Sequence, residues 1–362
     1  MIQIIRPLLI IILALFIGTG FVQATEEPEK TAEASHSEGF IPGKFVIEHV
    51  SDAFEWHIAT FGKTHISVPL PIILYSSDKG WSFFMSSKFH HGYETYNGFR
   101  IEHEGKNEGK IVEVNEQGEV IDLPIDLSIT KTVAGIFVSV TVLLLIFLNI
   151  ARSAKKRVNK APSGIQNLFE PAILFVRDDV AKPAIGEKKY EKFMPFLLTV
   201  FFFILINNLL GLIPIFPFGA NVTGNIAVTM VLALFTFFIT TFSTNKHYWK
   251  ELYNPEVPWW LKFPIPLMPI VELTGVITKP FVLMVRLFAN MLAGHLIVTV
   301  FVSLIFIFNV KMGIEAGLGV SVLSVAFSVF ILLLDVLVSF IQAYVFTLLS
   351  ALYFGMASPE HH

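Results

Sequence analysis

Cysteine is absent from the 362 residues. That excludes disulfides, thiolate zinc sites and cysteine nucleophiles, and it leaves the redox compartment open. Charge is also scarce: Asp, Glu, Lys and Arg make up 15% of the chain, against about 25% in a soluble domain. The net charge is -3, which is not the basic footprint of a nucleic-acid binder. There is no GxxxxGK[ST] phosphate loop, no GxSxG elbow and no HExxH pair, so neither a nucleotide site nor a hydrolase centre is expected. The two halves show no repeat of the kind that builds secondary transporters. No cofactor or metal is expected.

Apolar residues fill the gap. They make up 54% of the chain, and the mean hydropathy is +0.65. Their distribution is uneven. Residues 25–128 hold most of the acids and seven of the eleven histidines, whereas residues 193–354 are almost wholly apolar. A polar N-terminal part followed by a membrane part is the simplest reading.

Residues 1–24 read as a signal peptide. Arg6 supplies the positive end, residues 8–17 form an apolar core of ten residues, and Val22-Gln23-Ala24 offers small residues for cleavage. Ten residues fall short of the roughly 20 needed to span a bilayer. Residues 25–128 then read as an exported domain, acidic at its start and β-rich beyond. His65 to Tyr75 and Trp81 to Met85 are strand-like runs, and Lys110 to Val114 with Glu119 to Leu123 reads as a hairpin turning at Gly118. His49, His57, His65, His90, His91 and His103 match no ligand spacing, and solvated or structural roles are expected of them.

From residue 129 the chain reads as an all-α membrane protein. Spans are expected at about 132–150, 193–212, 225–242, 270–308 and 318–354, with an interfacial helix at about 163–182 kinked by Pro171. Arg152, Lys155, Lys156, Arg157 and Lys160 follow the first span, and Lys246 and Lys250 follow the third. Basic clusters mark the cytoplasmic side. That places residues 25–128 outside and the C-terminus inside a bacterial inner membrane. The last two runs have 39 and 37 residues, about 55–58 Å as helices, against a hydrocarbon core of about 30 Å. They are expected to form a steeply tilted antiparallel hairpin turning at residues 309–317.

Ionisable groups in lipid are costly and usually functional. This hairpin has Glu272, Lys279, Arg286, His295 and Asp335. Arg286 lies at least 16 residues from either end of its run, too deep to reach the headgroups as terminal arginines do. With the turn near Gly313, Arg286 and Gln342 fall at similar depth. So do His295 and Asp335, about 10–14 Å further out. Arg286 and His295 are nine residues apart, half a turn in phase, so they face different sides.

The segment Arg286-Leu-Phe-Ala-Asn-Met-Leu-Ala-Gly-His295 resembles the signature of the subunit a family of rotary F-type ATP synthases. Lys279-Pro280, Asn207-Asn208-Leu-Leu-Gly-Leu-Ile-Pro214 and Gln342-Ala-Tyr-Val-Phe346 match as well. The resemblance covers roughly residues 130–358. It implies a non-catalytic stator subunit that carries protons through two half-channels to a ring of c subunits. The ring, subunit b of the peripheral stalk and the remaining synthase subunits would be its partners, and ATP chemistry would lie on other chains. It implies that Arg286 faces the ring carboxylates with Gln342 beside it, that Asn290 is the asparagine of the signature, and that Glu272 is an acid of the inner exit path. Many relatives carry Glu where this chain has His295 and His where it has Asp335, so acid and imidazole have exchanged helices. Gly211 stands where some relatives carry Asp. The resemblance says nothing of residues 25–128.

Overall fold

A computed structural model describes residues 23–26, 52–61, 64–90, 92, 94–103, 105–115, 117–156, 164–213, 215–244 and 267–357. Most of the expected signal peptide and of the acidic segment after it lies outside these residues. Two compact units result. The first comprises the N-terminal part to Val138 with residues 214–220; the second comprises the rest.

The first unit is built of strands: β1 (Gln23–Glu26), β2 (Glu55–Phe61), β3 (Thr64–Pro69), β4 (Pro71–Ser76), β5 (Gly80–Met85), β6 (Phe99–Ile101), β7 (Ile111–Val114), β8 (Val120–Asp122) and β9 (Ile125–Asp126). They form three antiparallel sheets in the orders β1-β3-β2, β5-β4-β9 and β6-β7-β8. The run 65–75, read as one strand, breaks at Leu70 and serves two sheets. Pro69 and Pro71 have no N–H to give a ladder, and the Leu70 N–H between them donates to Ser86 Oγ at 3.0 Å. The hairpin of β7 and β8 turns where expected. Asn115 Oδ1 accepts from the N–H groups of Gln117 and Glu119, and Gly118 takes a φ of +81°, which a glycine adopts freely. Beneath the β4 sheet Ile72, Leu74, Phe89, Phe99 and Ile111 form the core. Glu113 is buried there, and a buried carboxylate needs partners. It receives a hydrogen bond from Ser76 Oγ and pairs with Lys79 Nζ at 3.1 Å.

The helices are α1 (Lys131–Lys156), α2 (Ile165–Phe175), α3 (Lys182–Ile185), α4 (Tyr190–Gly211), α5 (Ile226–Ser243), α6 (Leu267–Met312) and α7 (Ile314–Ala357). Five of them, α1, α4, α5, α6 and α7, are long and apolar enough to cross a membrane. The expected helix at 163–182 is three pieces: α2, a π-helical segment Val176–Ala181, and α3. α2 runs through Pro171, and the hydrogen-bond pattern changes only after it. On this segment Val176, Val180, Ala181 and Ile185 join the core with Phe193, Leu197 and Phe201 of α4 and Ala343, Phe346 and Phe354 of α7. Asp178 lies on the same π segment, and the Arg177 guanidinium and then the Lys182 ammonium hold its carboxyl well below the usual carboxylate range.

α6 and α7 are longer than their apolar runs, at 46 and 44 residues, or about 69 and 66 Å. Asn309, Lys311 and Glu315 end the hydropathy, yet they do not end the helices. Gly313, with φ +91°, makes the whole connection. Near its C-terminus α7 approaches α3 closely at a glycine. A Cβ built on Gly355 would run into the Ala184 carbonyl oxygen of α3. Backbone cannot yield as a flexible side chain can, and overpacking costs typically about 1–3 kcal/mol. Gly355→Val is therefore expected to lower the thermal unfolding temperature of the detergent-solubilised chain by several degrees. Gly275→Val, at a site with nothing within 4 Å, is expected to leave it unchanged. Equal melting of the two variants would show that the contact carries no strain.

Candidate functional site

The hairpin register follows from its side-chain contacts. Gly317 lies against Asn309, Phe301 stacks on Phe327 with ring centroids 5.4 Å apart, Gly294 lies against Asp335, and Lys279 Nζ sits 5.5 Å from the Tyr353 ring. Interpolating between the last two pairs brings Arg286 level with residues 343–345, within a turn of Gln342. The two share a level but not an environment. Gln342 is 4% exposed, packed on the buried side of α7 that includes Ser339, Ala343 and Phe346. Arg286 is on the open side of α6 with Val282, Val285, Ala289 and Asn290. The closed side of α6 is carried by Leu283, Leu287 and Met291, spaced four apart as a packed helical stripe requires. Arg286 therefore projects from an apolar, uncovered helix face, and Asn290 is one turn along the same face.

Asp335 is placed by a glycine. A Cβ on Gly294 would meet both of its carboxylate oxygens, at 2.7 and 2.8 Å. The carboxyl group thus occupies the space a side chain would fill, against the backbone just before His295. His295 and Asp335 are both half-buried, while Arg286 is exposed. Around them hydroxyls line the helix interface: Thr299 Oγ1 donates to the His295 carbonyl at 2.8 Å, Ser303 Oγ to Thr299, and Ser339 Oγ to the Asp335 carbonyl at 2.7 Å. Each gives its proton to its own helix and keeps lone pairs for a further donor. Of Glu272 only its place in the second turn of α6 is described.

Gly294 had no role in the sequence reading, although a mid-helix glycine costs about 1 kcal/mol against alanine and usually has a packing reason. The same holds for Ser339 and Thr299, whose positions among apolar residues carried no signal of which side they face. Asn208, matched by motif alone, is fully buried on α4, where its Oδ1 accepts from Thr223 Oγ1. The adjacent Asn207 donates to the Phe203 carbonyl at 2.8 Å. Among the described residues no group of three His, Asp or Glu side chains could hold a metal.

Known proteins resemble the chain in two separate stretches. The family model described as ATP synthase A chain matches residues 134–355, and one described as a domain of unknown function matches residues 45–130. An ATP synthase subunit a of Chloroherpeton thalassium is 46% identical over 245 residues, which is 66% of this chain and 69% of that protein. An ATP synthase subunit a 2 of Chlorobaculum tepidum is 47% identical over 237 residues, 65% of this chain and 64% of that protein. An ATP synthase subunit a of an Anaeromyxobacter species is 36% identical over 260 residues, 70% and 60% of the two chains. The match thus spans about two thirds of the relatives' own lengths.

Proposed function

The chain belongs to the ATP synthase A chain family, and on that premise we propose that it is the proton-conducting stator subunit of a rotary ATP synthase in a bacterial inner membrane. The observation that carries this is Arg286, an exposed cation on an apolar helix face. A lone charge held towards lipid is costly. A ring of carboxylate-bearing helices passing that face would turn the cost into function.

In this reading a proton arrives from outside through the polar seam at His295 and Asp335, where Gly294 gives the carboxyl its seat. It neutralises a ring carboxylate, which then tolerates lipid. After rotation the carboxylate loses its proton on the inner side, towards Glu272, and passes Arg286 ionised. Arg286 stands between the two paths as a fixed cation, so it blocks protons from crossing directly from one to the other. Gln342, held in the interior at nearly the same level, supplies a polar neighbour without a charge. Asn290, on the open face, can hydrogen-bond a passing carboxylate. The membrane potential contributes about 2.3 kcal/mol per charge per 100 mV. Residues 1–24 serve as signal peptide, residues 25–128 stand outside as the β-rich domain, and the membrane core runs from 129 to 362 with its C-terminus inside. Subunit b of the peripheral stalk holds it against rotation, and nucleotide chemistry is left to other subunits.

A photo-reactive amino acid at Ala289, on the Arg286 face, tests the reading. Irradiation of native membranes is expected to link this chain to a small ring-forming subunit, and the same residue at the closed position Leu283 is expected not to. Adducts to lipid alone at 289, with no ring subunit co-purifying, would overturn the proposal.

A further inference from the structure

Antiparallel sheets with one face on a core ordinarily turn polar side chains to water on the other. The β5-β4-β9 sheet does not. Its inner face carries Ile72 and Leu74 of the core. Its outer face carries Ile73, Tyr75, Trp81, Phe83, Ile125 and Leu127, of which Trp81 is 57%, Phe83 69% and Ile125 60% exposed. They are neighbours across the strands: Ile73 opposes Phe83, and Tyr75 opposes both Trp81 and Ile125. Trp81 and Phe83 stack at 6.0 Å with ring planes 14° apart, and Tyr75 lies 5.1 Å from Trp81. The three strands have one charged residue, Asp126, and its carboxylate accepts the Ser128 N–H.

The chain itself indicates what covers this face. The β4 pairing continues past β9, with Leu127 N–H donating to Ile73 O and Ile129 N–H to Pro71 O at 3.0 Å. The membrane span α1 begins two residues later, at Lys131. Its first turn is tied to the same unit: Lys131 N–H donates to Ala53 O at 2.8 Å and Thr132 N–H to Asp52 Oδ1 at 3.0 Å. Within the same unit Phe216 packs edge-on against Trp56 at 5.4 Å. Leu127 is thus at most about 13 Å along the chain from the start of the span, and Ile125 about 20 Å. The headgroup layer is only about 5–8 Å deep on each side of the hydrocarbon, so an upright sheet would leave Trp81 and Tyr75 in water.

We propose that this sheet lies flat on the bilayer, with Tyr75, Trp81 and Phe83 at the boundary between headgroups and acyl chains. Amphipathic rings favour that boundary. With no cation on the three strands, the contact recognises the interface itself rather than anionic headgroups, and zwitterionic lipid suffices. The inference rests on α1 being a span and not on proton conduction.

The absence of cysteine makes the test direct. Single cysteines at Phe83 and Leu127 in the full chain are labelled with a thiol-reactive fluorophore and reconstituted in phosphatidylcholine vesicles. Cysteines at Leu144 of α1 and at Lys106, on an exposed turn, serve as references. Nitroxide on the first acyl carbons is expected to quench positions 83 and 127 by about twofold or more, as for a side chain at the interface, and aqueous iodide is expected to spare them. The difference in fluorescence between the chain and Trp81→Phe is expected to show the same quenching without a label. Quenching of 83 and 127 by iodide, as at 106, would overturn the proposal. So would silence to both quenchers, which would mean a protein surface covers the strip. If Leu144 itself escapes a nitroxide placed near the acyl-chain ends, the span reading fails first.

Discussion

Replacing Arg286 by alanine is expected to abolish ATP-driven proton pumping while the chain still folds and the complex still assembles. The two halves of that expectation have separate grounds. Arg286 is outside the packed stripe of Leu283, Leu287 and Met291, so its loss opens no cavity, and exposed substitutions typically change stability by about 0.5 kcal/mol or less. In the proposed mechanism its role in transport is electrostatic: without a fixed cation nothing drives the ring carboxylate to ionise, and nothing separates the outer and inner paths. Pumping by inverted vesicles is expected to fall to background, and passive proton leak to rise. Arg286→Lys is expected to fail as well, because an ammonium has no planar fork and loses its proton more readily away from water. Near-normal pumping by the alanine variant would refute the central place given to this residue.

The second large effect is expected from the seat of Asp335. If the carboxyl works from its position against Gly294, moving it is as harmful as removing it. Gly294→Val puts side-chain atoms where the carboxylate oxygens now lie, 2.7–2.8 Å from the new Cβ, and either Asp335 turns away or α6 and α7 separate. Proton flux is expected to drop about a hundredfold in both Gly294→Val and Asp335→Asn, the low end of what a positioned proton-transfer group contributes. The variants are expected not to add when combined, since each removes the same group from the path. Exchanging the pair, His295→Glu with Asp335→His, is expected to recover much of the flux because one acid and one imidazole remain on facing helices. Strictly additive losses would mean that Gly294 does not act through Asp335, and no recovery on exchange would mean that Asp335 and His295 do not form one unit.

How much of this was legible in the sequence depended on whether the signal was local. Five apolar runs, the β7–β8 hairpin with its Asn115 and Gly118 turn, and the Arg286–His295 segment each declare themselves within one short stretch. Hydropathy and turn chemistry need no partner to be read. Helix ends were less legible. Lys311 and Glu315 stop an apolar run without stopping a helix, so the hairpin closes on Gly313 alone rather than over 309–317. The break at Leu70 is less plain: residues 65–75 are one β-prone run, and only Pro69 and Pro71, which lack the ladder donor, mark where it divides.

The sequence by itself determined the membrane class, the spans, the hairpin and the family. Only the tertiary structure decided which faces are used. In α6 and α7 the packed and the open sides are both apolar, because lipid and protein interior select the same side chains, so periodicity cannot separate the Leu283 stripe from the Arg286 face. Asp335 and Gly294 are 41 residues apart in the sequence; nothing local to either says that one is the seat of the other. The outer face of the β5-β4-β9 sheet is the same case in the N-terminal unit. Val, Ile, Tyr, Trp and Phe suit a strand wherever it lies, and only the assembled sheet shows which of them were left without a core to enter.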